Sequence, residues 1–323
     1  GLYLLGFSAI LITISLGFYA YRLPVLISTN LVASKSKEAF LSINNIIFAT
    51  LIFAVFLGVM YPLIFDFMYG ERISVGPPYY NTIFAPLTFL ASIFLVFSVG
   101  SLWKRSSQLF FINSALSASI LLSTLITLYL VSLFNDFNWW FVGGLFSSFL
   151  ILFRYLILII YSFYQGNYFN KASAIAHIGL GLLILATTFN ASLSYEKVIN
   201  IKPGETYTAE AYEFTLINFD LINESNYDSV RAKFSVKDIN SLNKVFFLYP
   251  EKRKYFIRGQ ITSESAIKIT PTKDIYMTLG DQLDSGYWVV NIQYNYLIRL
   301  IWIAAAVMCL GALATFTQSY SKK

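Results

Sequence analysis

A lone histidine, His177, lies inside a run of apolar residues long enough to cross a bilayer. An ionisable side chain at membrane depth is a candidate for function. The residues that share its helical face one turn away are Ser173, Ala174, Leu180 and Gly181. Three of these four are small, which leaves room for a flat ring beside the imidazole. Because haem iron takes an imidazole nitrogen and the macrocycle takes an apolar slot, His177 is a candidate haem ligand.

The same pattern fits a second interpretation, and the residues alone leave both open. In that interpretation His177 is neutral and hydrogen-bonded to a neighbouring helix, and the small residues serve helix packing. A haem held by two histidines needs a second ligand, and this chain contains one histidine. The haem hypothesis therefore predicts that the second axial ligand lies outside this chain.

Two further residues within apolar runs carry a charged or thiol side chain. Arg154, in Phe153-Arg154-Tyr155, could pair with a haem propionate or with a carboxylate on another helix. The sequence favours the alternative that the helix ends earlier and Arg154 extends to the inner surface. Cys309, the single cysteine, is expected to be a small buried hydrophobe, so we predict no disulfide framework and no thiolate metal site.

Prolines and tryptophans mark the predicted membrane boundaries. Gly76-Pro77-Pro78 restricts the backbone, so the segment 73–81 is expected to form a rigid connector on the outer surface. Trp139, Trp140 and Trp302 lie near span ends and are typical of interfacial anchors, while haem stacking by the first two is the less favoured alternative.

The amino-acid composition is that of a membrane protein, so the candidate residues above lie in or near membrane-spanning segments. Of 323 residues, 57% are hydrophobic and 12% are charged, which is roughly half the charged share of a soluble domain, and the mean hydropathy is +0.62. A water-soluble globule is excluded. The sequence begins with Gly1 and has no methionine before Met60, so we expect a fragment or a processed piece. Seven apolar spans are predicted, at 1–21, 43–66, 82–103, 109–134, 139–163, 173–194 and 296–317.

Between the sixth and seventh spans, polar and apolar residues alternate with a period near two. Seven strands are predicted there, at 196–201, 213–220, 230–237, 244–248, 266–270, 274–279 and 287–292. The fold class is therefore a polytopic α-helical membrane protein with about seven transmembrane helices and one extracytoplasmic β-rich domain, a small antiparallel sandwich or barrel, inserted before the last helix. The predicted divisions are a membrane domain at 1–194, the β-domain at 195–295, and the last helix with a short inner tail at 296–323.

Basic residues in the short loops predict the orientation. Eight lie on one side and only Arg72 on the other; the eight are Arg22, Lys35, Lys37, Lys104, Arg105, Lys171, Lys322 and Lys323. This bias places the β-domain outside, in the periplasm of a bacterium or the intermembrane space of a mitochondrion. The β-domain has twelve basic and thirteen acidic residues, so the net charge of +6 belongs to the membrane part and gives no reason to expect a nucleic-acid partner.

Several motifs, taken in order, resemble the CcmF family of cytochrome c maturation proteins. They are Ser36-Lys37-Glu38, Asn44-Asn45, Gly58-Val59-Met60-Tyr61-Pro62-Leu63, the segment 73–81, Ala176-His177-Ile178-Gly179, Pro203-Gly204-Glu205, Asn226-Tyr227, the segments 248–253 and 263–267, Asp274-Ile275-Tyr276 and Arg299-Leu300-Ile301-Trp302. The resemblance covers essentially the whole chain but corresponds to the C-terminal half of the family. The family's Trp-rich haem-handling segment and its other histidines have no counterpart here.

The resemblance implies a component of the cytochrome c haem lyase in a bacterial inner membrane, or alternatively in a mitochondrial inner membrane. Such a protein accepts haem, its substrate, from a haem chaperone and supports thioether attachment to apocytochrome c, together with other maturation subunits. The resemblance also implies that His177 is an axial ligand to the iron of a b-haem in the membrane, while the catalytic residues stay unassigned. Two other function classes stay open: a haem exporter or permease, and a non-catalytic assembly scaffold.

Overall fold

The computed structural model describes residues 2–26, 33, 36–71, 73–99, 114–134, 138–165, 171–240, 244–257 and 259–320. Seven helices are present in these ranges: α1 Leu2–Leu26, α2 Lys37–Tyr69, α3 Pro77–Ser98, α4 Ser114–Leu133, α5 Trp139–Gln165, α6 Lys171–Leu193 and α7 Ile298–Tyr320. Ten strands lie between α6 and α7: β1 Tyr195–Ile201, β2 Thr206–Ala209, β3 Tyr212–Asn223, β4 Tyr227–Asp238, β5 Val245–Leu248, β6 Glu251–Tyr255, β7 Ile261–Glu264, β8 Ala266–Ile269, β9 Lys273–Gln282 and β10 Trp288–Tyr296.

The helices confirm the predicted fold class. Among the described residues, α1 to α6 each contain a stretch long and apolar enough to span a membrane, and α7 has a shorter apolar part, Ile298–Ala314. The β-rich region follows α6 and precedes α7, as expected. Most of the basic residues that predict the orientation lie outside the described residues; these are Lys35, Arg72, Lys104, Arg105, Lys322 and Lys323.

Local signals at α2 and α3 shift the predicted boundaries. The backbone N–H of Ala39 donates to Ser36 Oγ, and this N-cap starts α2 six residues before the predicted span. Pro77 occupies the first turn of α3, where its missing N–H leaves no bond unmade. The prediction of a rigid connector over 73–81 is therefore wrong for its second half, since Gly76 ends the connector and 77–81 is helical.

The side chains at the start of α3 hold it against α2. Tyr79 donates its hydroxyl to the carbonyl of Ala54 at 3.0 Å. A Cβ added at Gly58 would lie 2.7 Å from Tyr80 Oη and 2.9 Å from Tyr79 Cε1, so the absence of a side chain at Gly58 lets both rings approach. Cys309 is exposed on α7, and the prediction that it is buried is wrong, because an apolar run does not reveal which helix face meets a neighbour.

The ten strands form two antiparallel sheets around one core. One sheet has the order β1-β10-β9-β8, and the other has the order β2-β3-β4-β6-β7 with β5 paired to β4. Ala232, Phe234 and Val236 alternate along β4 and are fully buried, which is the period-two pattern expected of a strand with one face on the core. They meet residues of the other sheet such as Ile292 and Met277, so the domain is a β-sandwich.

Seven of the ten strands lie where the alternating pattern predicts them, and the pattern does not predict β2, β6 or β7. β2 and β7 are short strands with few apolar side chains, unlike the equally short β5 and β8, and β6 reads Glu-Lys-Arg-Lys-Tyr, which lacks apolar alternation. The reason β6 is a strand lies in its partner: Glu251 is buried opposite Arg231 of β4 and accepts hydrogen bonds from Arg231 and Arg253. Burial alone would raise the pKa of the Glu251 carboxyl, but the hydrogen bonds and charges of the two arginines outweigh it, and its pKa lies below the ordinary value.

This depressed pKa predicts a pH-dependent stability of the sandwich. The contribution of Glu251 is fully present above its unfolded pKa, about 4.3, and is lost as the pH falls through the lower pKa of the folded state. We expect Glu251→Gln to speed hydrogen exchange of β4 and β6 peptides at pH 7, and the difference from wild type to shrink at acid pH. The more exposed Glu264→Gln is the control. Equal exchange in wild type and Glu251→Gln at pH 7 would contradict this reading.

Hydrogen bonds join the sandwich to the helices below it. Asn190 Nδ2 near the end of α6 donates to the carbonyl of Tyr296 at 3.2 Å. The backbone N–H of Leu297, which adopts φ 52°, donates to the carbonyl of Thr272 at 3.0 Å. Arg299, at the start of α7, bonds the Thr270 carbonyl and lies 3.4 Å from Asp274 Oδ1. The sandwich is therefore tied to α6, the helix that carries His177, and to α7.

Candidate functional site

His177 lies on α6, half-buried, with its ring stacked on Tyr155 of α5. The ring centroids are 4.8 Å apart and the planes differ by 6°. Nδ1 lies 2.6 Å from the carbonyl oxygen of Ser173 and 3.3 Å from its hydroxyl. A carbonyl only accepts hydrogen bonds, so the short contact assigns the proton to Nδ1 and leaves the lone pair on Nε2. No described residue forms a hydrogen bond with that Nε2.

The small residues beside His177 pack against neighbouring helices. They do not leave the space beside the imidazole that their spacing predicts. Ala174 is fully buried. A Cβ added at Gly181 would lie 2.9 Å from Leu152 Cγ of α5. The flat ring next to the imidazole is that of Tyr155, a neighbour that the residue spacing around His177 does not indicate. The close packing agrees with the second interpretation, but Nδ1 bonds to its own helix at Ser173 and not to a neighbouring helix. Haem ligation by His177 stays a prediction.

Glycines also bring α7 close to α6 next to His177. A Cβ added at Gly179 would lie 2.6 Å from Met308 Cγ and 2.8 Å from its backbone nitrogen. From the other side, a Cβ added at Gly311 would lie 2.7 Å from Cα of Ala176, the residue before His177. This close approach of small residues is the usual way that helices associate in a bilayer. It fixes the backbone position of the histidine between α5 and α7.

Arg154 directly precedes Tyr155 and is buried, with 1% of its surface exposed. Its Nη2 donates to the carbonyl of Val99 at 3.3 Å. The Nε and Nη1 atoms have no hydrogen-bond partner, and no carboxylate of a described residue lies within ion-pair distance. The favoured interpretation that the helix ends early and Arg154 extends to the surface is wrong, since α5 continues to Gln165.

A cavity of about 790 Å³ lies towards the other end of the bundle, between α3, α4, α5 and α6. Its lining is apolar and hydroxylic, and Thr127 Oγ1 and Ser147 Oγ are buried there without a hydrogen-bond partner. Trp139 and Trp140 also line it and are 75% and 49% exposed. Within the described residues no cluster of three or more His, Cys, Asp or Glu side chains is arranged to hold a bare metal ion.

Comparisons with known proteins connect this arrangement to one family. Residues 192–296 match the family described as CcmF C-terminal beta-sandwich. The chain is 28% identical to the cytochrome c-type biogenesis protein CcmF of Pseudomonas aeruginosa, over 100% of this chain and 50% of that protein. It is also 28% identical to the CcmF of Escherichia coli, with the same two shares covered. The chain is therefore similar to CcmF proteins, and its β-sandwich matches the domain described as C-terminal in that family.

The match to a solved structure agrees with the fold. A structure described as cytochrome c haem lyase CcmF superposes with a TM-score of 0.70 at 18% identity, covering 86% of this chain and 45% of that one. The chain therefore spans about half the length of the CcmF proteins that it matches. The resemblance stated from the motifs is confirmed, including its restriction to half of a CcmF protein.

Proposed function

We propose that this chain is part of the cytochrome c haem lyase, accepting haem from a haem chaperone and supporting its attachment to apocytochrome c, with a b-haem bound in the membrane at His177. The observation that carries the proposal is the free Nε2 of an intramembrane histidine whose Nδ1 is held by Ser173. Two further facts support it: the curated relatives are named for cytochrome c-type biogenesis, and one solved neighbour is named a haem lyase.

The residues present fit a haem in donor chemistry. His177 offers an unprotonated nitrogen, and the Nδ1–H bond to the Ser173 carbonyl fixes the tautomer and the ring orientation, as in other metal-binding histidines. Tyr155 fixes the imidazole plane by stacking on it. When bound, the haem supplies a one-electron redox couple. Because His177 is the only histidine of this chain, a second histidine ligand would come from outside it.

The membrane position and partners complete the proposal. The excess of basic residues in one set of loops favours a periplasmic sandwich in a bacterial inner membrane, and the matched relatives that support this placement are bacterial. An intermembrane location in a mitochondrion is the alternative. The near-neutral sandwich, taken as 195–295 between the membrane segments 1–194 and 296–323, would contact the haem chaperone, apocytochrome c or other maturation subunits.

The cavity between α3, α4, α5 and α6 supports a second candidate function, a haem exporter or permease. Such a protein needs a polar or aromatic path, and the cavity combines the exposed Trp139 and Trp140 with unpartnered hydroxyls of Thr127 and Ser147. Most other buried hydroxyls of the helices, such as Ser119, bond to their own helix backbone. The path is therefore confined to one end of the bundle, and we favour the lyase. A non-catalytic scaffold would need neither His177 nor the cavity.

A maturation assay tests this proposal. The complete coding sequence, with or without His177→Ala, is expressed in cells that lack their own copy, and covalent haem on cytochrome c is measured on denaturing gels. We expect His177→Ala to abolish the signal and Thr187→Ala, on the same helix, to preserve it. Normal maturation by His177→Ala at equal membrane levels would contradict a role of His177 in the lyase and favour the scaffold.

A further inference from the structure

We propose that Arg154 is a carboxylate-binding residue that holds a propionate of the haem assigned to His177. This inference rests on the proposed function. The guanidinium is buried within the apolar bundle, and four of its five N–H groups are not used by the bond to the Val99 carbonyl. A charge in this position is strongly destabilising unless it is paired, so we expect an anion to contact Arg154.

The described residues do not provide that anion. The segment 1–194 contains four acidic residues, which are Glu38, Asp66, Glu71 and Asp136. The first three are described, but the hydrogen-bond partner of the Arg154 guanidinium among the described residues is the Val99 carbonyl. Asp136 precedes α5 by three residues, whereas Arg154 lies fifteen residues into that helix, roughly 22 Å along its axis at 1.5 Å per residue. A ligand, or a carboxylate from outside this chain, must therefore supply the charge.

The position of Arg154 favours a haem propionate as the source. Arg154 and Tyr155 are consecutive on α5, so they lie at nearly the same membrane depth, and the ring of Tyr155 stacks on His177. Haem is the one dianionic molecule that the proposed function already places beside this histidine. The planar guanidinium matches a carboxylate better than an ammonium does, because it presents a rigid fork of donors.

The test compares two haems in the protein expressed from its complete coding sequence, purified in detergent without haem. Protohaem has free propionates, whereas its dimethyl ester has none. We measure the dissociation constant of each by Soret titration in wild type, Arg154→Gln and Arg154→Lys. The control is Arg299→Gln, because Arg299 lies in the junction with the sandwich and is paired with Asp274.

We expect wild type and the control to bind protohaem more tightly than the ester by about tenfold or more, which is the ratio for one charge-assisted hydrogen bond. The ratio of the two dissociation constants, ester over protohaem, should approach one in Arg154→Gln. In Arg154→Lys it should lie between one and the wild-type value. If Arg154→Gln does not fold, comparing the affinity ratio of wild type with that of Arg154→Lys still tests the proposal. An equal ratio in wild type and variants would overturn the proposal and assign the charge to a protein carboxylate. Absence of a low-spin spectrum with either haem would instead overturn the haem site itself.

Discussion

The Gly311→Leu substitution should push α7 away from α6 and remove the haem as a consequence. An added Cβ would already lie 2.7 Å from Ala176 Cα, a backbone atom that no rotamer change can move. Overpacking of this kind destabilises by about 1–3 kcal/mol. Because Ala176 precedes His177, displacing it also moves the imidazole. We therefore expect a lower melting temperature in detergent together with loss of bound haem.

A matched variant on the same helix separates packing from hydrophobicity. Ala312→Leu adds a side chain of the same kind at an exposed position of α7. It should leave both the melting temperature and the haem content unchanged. Normal haem content and stability in Gly311→Leu would show that the close α6–α7 contact is not needed to position His177.

The sequence predicts the helices well because their signal is local. An apolar run of about twenty residues has few alternatives in a bilayer, and each predicted span has a helix in the structure. The sandwich strands with alternating apolar residues, such as β4, are equally clear. β6 could not be predicted, because its strand character depends on Glu251 meeting Arg231 from another strand. The local sequence pattern of β6 does not indicate a contact with a residue of a distant strand.

In the candidate site, too, features with a local signal could be predicted and features that depend on long-range packing could not. His177 stands out in the sequence because it is ionisable and surrounded by apolar residues. The burial of Arg154 and the stacking of Tyr155 on His177 could not be derived, since both depend on how α5 is rotated against α6. Helices that are apolar on every face carry no periodic signal for that rotation. The exposed Cys309 was misjudged for the same physical reason.

The His177→Gly substitution should remove the haem and leave a gap that free imidazole can fill. Loss of an outer-shell partner of a metal ligand lowers affinity by roughly 10–100-fold, so loss of the ligand itself should exceed that range. Imidazole has the same donor nitrogen and fits the space of the missing ring beside Tyr155. Recovery by imidazole distinguishes a ligand from a residue that only supports the fold, because a collapsed helix pair would not be repaired by it.

The most direct test is the reduced-minus-oxidised optical spectrum of the complete protein in detergent, recorded for wild type and for His177→Gly with and without imidazole. We expect a low-spin b-haem spectrum in wild type, its loss in the variant and its return when imidazole is added, with Thr187→Ala unchanged. A low-spin spectrum that persists in folded His177→Gly without imidazole would contradict the assignment of His177 as the haem ligand.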